Sequence, residues 1–204
     1  TVITAPDLGQ LFADPYLRIY PRQVTLLPRE AQVVMIQCKR KPDMQEGEYR
    51  SHLFFRSEKN YTTLGNETKD SLNGVSVQLI PIYGMSIPII IRSGDVTGTA
   101  TLTDLKLEDQ KDAQLTFTLN RKGNSSIYGD FTVEYFPLEG KSYTIGAMKG
   151  VAIYTTINKR YISIKLNKTP GMNSNKGTLK LRFTSRGGDK KREVYAAEEL
   201  LLGV

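Results

Sequence analysis

The chain has 204 residues, with 28 Lys and Arg against 21 Asp and Glu for a net charge of +7, and 39% hydrophobic and 24% charged residues. This composition excludes a disordered tail, and no apolar run approaches the ~18 residues of a membrane-spanning helix, so no membrane insertion is expected. One cysteine, Cys38, and one histidine, His52, rule out an internal disulfide framework and leave metal and nucleophile constellations short of material.

The length suits one large domain or two small ones. No signal-peptide pattern is visible, and a start at Thr1 rather than Met leads us to expect that a segment has been removed or left out. The positive balance favours acidic partners or anionic surfaces in solution, without bearing on fold.

Period-2 alternation dominates and predicts strands. In the first part these run over 16–26, 32–39 and 48–56. A polar stretch at 57–73, with Gly65, Asn66, Asn73 and Gly74, predicts an exposed loop. The clearest alternation follows: Val75, Val77, Leu79, Pro81, Tyr83, Met85, Ile87, Ile89 and Ile91 occupy the odd positions, with Ser76, Gln78 and Ser86 between them. One long strand would keep that series on one face. Pro81 and Pro88 cannot donate to a ladder and place it at an edge, and Gly84 is expected to mark a bend or bulge.

Ser93-Gly94-Asp95 reads as a linker, after which the pattern restarts. Strands are predicted over 99–107, 115–119, 131–135, 143–147, 151–155, 162–166, 179–183 and 193–201. Short strands at roughly 8–12-residue spacing indicate a β-sandwich or barrel. The expected fold is therefore all-β: two immunoglobulin-like β-sandwich units, 1–92 and 93–204. The first is incomplete, because four strands make only half of such a sandwich.

These residues resemble the periplasmic pilus-assembly chaperones, the PapD-like family. The match rests on Pro21-Arg22-Gln23-Val24-Thr25-Leu26-Leu27-Pro28 with Gln32-Val33-Val34, on Glu46-Gly47-Glu48-Tyr49-Arg50-Ser51-His52-Leu53-Phe54-Phe55, and on Ile87-Pro88-Ile89-Ile90-Ile91-Arg92. Over 93–204 it is looser and rests on a second sandwich with Gly150-Val151-Ala152-Ile153-Tyr154. The resemblance implies a chaperone that stabilises pilin-like subunits by lending them a strand, with no catalytic residues, metal or cofactor, and an outer-membrane usher as a further partner.

An exported, periplasmic location is implied likewise. The donor would be 75–92, and Val77, Leu79, Ile87, Ile89, Ile91 and Arg92 would meet the subunit. A donor must be long, lie at an edge and be apolar at every second position, and this run is uncharged until Arg92. The family's opening strands and their basic carboxylate anchor do not appear in this sequence, and the anchor's partner lysine aligns near Pro88. Uncovered edges of a half-sandwich lead us to expect one of two outcomes, a homodimer or a missing N-terminal segment that remains associated. The alternative reading is a structural or adhesive pilus or surface subunit that assembles by strand exchange.

Other features read as structural. His52 alternates away from Tyr49, Ser51, Leu53 and Phe55 and is expected on the wet face, so it makes no nucleophile–base pair with Ser51. Cys38 is expected as a buried small hydrophobe. The basic cluster Lys180, Arg182, Arg186, Lys190, Lys191 and Arg192 reads as a solvated hairpin. It lacks the interleaved aromatics and motifs of a nucleic-acid binder. Sequons at Asn60, Asn66, Asn124 and Asn167 read as loop polarity, and Glu46, Glu48, Asp109 and Asp112 as turn carboxylates.

Overall fold

A computed structural model describes residues 10–58, 82–109, 112–167, 172–186 and 192–203. The expected strand segment over 75–81, with Val77 and Leu79, lies outside the described residues, as do Asn60, Asn66, Lys190 and Lys191. Among the described residues the chain is all-β. The single helical element described is a 3-10 turn, Asp14–Tyr16.

The second unit is a seven-stranded sandwich. Strands β5 (Gly98–Glu108), β6 (Gln114–Gly123) and β9 (Lys159–Lys165) form a sheet ordered β5-β6-β9. Strands β7 (Ile127–Phe136), β8 (Tyr143–Ile153), β10 (Thr178–Ser185) and β11 (Val194–Leu201) form another, ordered β11-β10-β7-β8. All pairings are antiparallel. The chain crosses from one sheet to the other after β6, after β8 and again after β9. Such crossings between two antiparallel sheets are the connectivity of immunoglobulin-like sandwiches.

Alternation puts Leu115, Phe117 and Leu119 of β6 opposite Phe131, Val133 and Tyr135 of β7 and Leu179, Leu181 and Phe183 of β10, all buried. Phe117, Phe131, Phe183 and Tyr195 make a chain of rings with centroid spacings of 4.9, 4.3 and 5.5 Å. Each such buried ring removes about 150–250 Å² from water.

The sequence predicted two strands at 143–147 and 151–155; the structure has one, β8. The register against β7 shifts between Gly129 and Phe131, and Gly150 there has φ +73. A glycine bulge therefore carries the strand through what read as a break. The strand ends at Ile153, so Tyr154 and Thr155 lie beyond it.

The first unit consists of two strand pairs. β1 (Leu17–Tyr20) pairs antiparallel with β2 (Met35–Cys38), both shorter than expected. β3 (Gly47–Arg56) pairs antiparallel with β4 (Gly84–Ser93) along its whole length, from Gly47 opposite Ser93 to Arg56 opposite Gly84. Gly84 is not a bulge; it starts β4, and a Cβ there would fall 2.6 Å from the Phe54 ring.

Leu17, Ile19, Ile36 and Cys38 share one face of β1–β2, so Val33 and Met35 point the other way, 77% and 66% exposed. Cys38 is exposed as well, contrary to expectation. Among the described residues no third strand joins that pair. Among the described residues, the buried apolar ones in this unit are Ala13 and Tyr49, and every buried member of the main core lies between Ala100 and Phe183.

Candidate functional site

Among the described strands β4 lies at an edge. Among the described residues its only ladder partner is β3, so its second row of backbone groups is open. Its odd positions, Met85, Ile87, Ile89 and Ile91, share a face with Phe55, Leu53, Ser51 and Tyr49 through the register. Ile89 and Ile91 are half-buried there, whereas Ile87 and Met85 are 43% and 62% exposed. Ile90 projects from the opposite face, also 43% exposed. Pro88 stands opposite His52, which is on the wet face as expected.

The odd face looks onto an open groove of about 440 Å³ between the two strand pairs, lined by Leu17, Ile19, Val34, Leu53, Phe55 and Ile89 among others. One end of the groove is closed. Leu11 makes a parallel bridge to Tyr49, and Arg50 N–H donates to the Leu11 carbonyl at 2.8 Å. Ser51 Oγ accepts from the Ala13 and Asp14 amides and donates to Asp14 Oδ1. The Tyr16 ring meets Tyr49 edge-on at 5.1 Å.

β4 ends at a joint with the second unit. The Glu48 side chain is fully buried there. Its carboxylate accepts from Arg92 Nε at 3.2 Å, the Ser126 amide at 3.2 Å and Ser126 Oγ at 2.5 Å. The Glu48 amide donates to the Asn124 carbonyl at 3.2 Å. Arg50 lies 3.9 Å from Glu48 and stacks over the Tyr154 ring at 3.8 Å. Arg92, predicted to face a partner, is thus paired with Glu48, its side chain half exposed.

Glu48 is not the turn carboxylate that its sequence neighbours suggested. Two arginines of the same sheet, Arg50 and Arg92, were the available signal, but the serines that complete the site lie 77 and 78 positions away. Asn124 is used structurally: its amide side chain accepts from the Thr97 amide and donates to the Asp95 carbonyl, holding the linker. Gly94, at φ +66, turns the chain from β4 into that linker.

Three cations of the basic cluster are paired in place. Lys180 pairs with Glu199, Arg182 with Glu134, and Arg186 with Asp130 and the Tyr128 hydroxyl. Among the described residues no group of three or more His, Cys, Asp or Glu is placed to hold a metal. Among them, too, no helix is long and apolar enough to cross a membrane.

Compared with known proteins, the chain matches no family model, no curated protein and no solved structure.

Proposed function

We propose that the protein is a non-enzymatic, periplasmic chaperone that stabilises pilin-like subunits by completing their sheets with β4, without cofactor or metal. The observation that carries this reading is β4 itself. It is a ten-residue strand with one edge fully registered on β3, no described strand on the other edge, no charge from Gly84 to Ile91 and an isoleucine at three successive odd positions. An extended donor gains affinity from main-chain hydrogen bonds and specificity from alternate side chains entering pockets. Proteins that do not use such an edge blunt it with charge or bulges.

Co-expression with a pilin-like subunit tests the reading. Ile89→Asp would set an unpaired charge into an apolar groove, at a cost of several kcal/mol. We expect it to abolish co-purification, while Ile90→Asp on the opposite face retains it and circular dichroism shows both variants folded. Undiminished co-purification with Ile89→Asp sinks the proposal.

The groove beside β3 and β4 favours one second reading, a strand-accepting pilus or surface subunit. Such a subunit would polymerise with itself, whereas a chaperone forms a one-to-one complex and releases its client.

A further inference from the structure

Arg121 is 5% exposed, at the end of β6. All its guanidinium nitrogens donate, and every acceptor is a neutral oxygen. Nε meets the Ile157 carbonyl at 3.2 Å. Nη1 meets the Gly123 and Ser125 carbonyls at 2.6 and 3.1 Å. Nη2 meets the Thr155 carbonyl and Asn158 Oδ1 at 3.1 and 3.0 Å. Apart from Gly123, the last residue of β6, the acceptors fall in two loops, one between β6 and β7 and the other between β8 and β9.

Those two loops are also the ones that touch the first unit. The first carries Asn124, Ser125 and Ser126, which hold Glu48. The second begins at Tyr154, which lies beneath Arg50. A sandwich core of this size has no need of a cation here, and a buried cation with no direct carboxylate partner is expensive. Burial lowers the guanidinium's proton affinity, and the nearby Glu48 charge acts in the opposite sense.

We propose that Arg121 is the positioning residue of the joint: its guanidinium holds the two loops at the one spacing that grips Glu48 and Arg50 together, and so fixes the angle at which the first unit and β4 are carried. Arginine suits the task because its planar fork serves both loops at once, which a lysine ammonium cannot do. This role depends on the joint alone and not on the identity of any client.

The test uses the full chain with Arg121→Lys. Amide exchange at Glu48 and Ser126, whose N–H groups bond across the joint, should quicken at least tenfold, while Leu119, Val133 and Leu181 in the core remain as protected as before. Residual dipolar couplings from the two units should fit one alignment tensor in the native chain and require two in the variant. Asn158→Ala, which deletes a single acceptor, should move the same reporters in the same direction by less, and supplies the reading if Arg121→Lys folds poorly. Unchanged exchange at Glu48 and Ser126 with a single tensor overturns the proposal. So does loss of core protection in step with the joint, which would make Arg121 a residue of the fold alone.

Discussion

Glu48 and Asp104 show what a carboxylate needs at two very different exposures. Glu48 has lost its water and is satisfied by serine and amide donors as well as by Arg92. Because Arg92 is half exposed, its charge is screened, and the hydrogen bonds from Ser126 do much of the stabilising. Asp104 stands in water, at φ +58 in the bulge where β5 slips against β6. A short polar side chain tolerates that left-handed conformation. The Thr118 hydroxyl first, then that of Thr103, hold its carboxyl below the ordinary value of 3.8. A depressed carboxylate contributes stability that is present above its unfolded pKa and is lost as pH falls through the folded one. Asp104→Asn keeps the backbone conformation and discards the charge. We expect the native chain to melt above this variant at pH 7, with the gap closing as pH falls below about 4. A gap that widens on acidification would contradict the assignment, and thermal melts across that range decide it.

At the level of elements, β4 brings its apolar face to the joint, but the cations there are engaged. Arg92 and Arg50 both lie against Glu48, and Pro88, opposite His52, brings no charge of its own. A client held by β4 should therefore depend on backbone pairing and apolar pockets, and amidation of its C-terminus should change affinity by less than tenfold, about 1.4 kcal/mol, in calorimetry. A larger loss would reveal a charged anchor. Alternation made β4 legible from sequence because the period-2 signal is local, and the same signal found β6, β7, β9 and β10. It failed where the cause is distant or conformational. The bulge at Gly150 joins what looked like two strands into β8. Cys38 alternates like a core residue yet lies exposed, since alternation reports a strand's faces and not whether anything covers them. Glu48 is buried by serines from another unit, a contact invisible to any window of sequence.

At the scale of the molecule, the described residues are unevenly packed. The core belongs to the second unit, while the first leaves Tyr20, Phe54 and Tyr83 between 60% and 74% exposed. At about 150–250 Å² per ring these three alone leave roughly 400 Å² in water. Apolar surface on that scale marks an interaction site or an aggregation liability. We expect the isolated 204-residue chain to be a dimer in light scattering at micromolar concentration, joined through the first unit's open strands. A folded monomer with no associated peptide by mass spectrometry would contradict this. Truncation to residues 93–204 should yield a monomer, because the excluded part carries the exposed rings of Tyr20, Phe54 and Tyr83.

The whole-length register of β3 on β4 also has a mechanical side. A partner bound along β4 and drawn away along the strand's axis would load the ladder in shear, with every backbone hydrogen bond resisting at once. The same partner lifted at Gly84 would open the ladder one rung at a time, starting from the end farthest from Glu48. For a partner bound in that way, peeling from Gly84 would be the low-force route. At the other end Glu48 ties Arg92 of β4 to Ser126 of the second unit, so β4 itself would stay in place as the partner left.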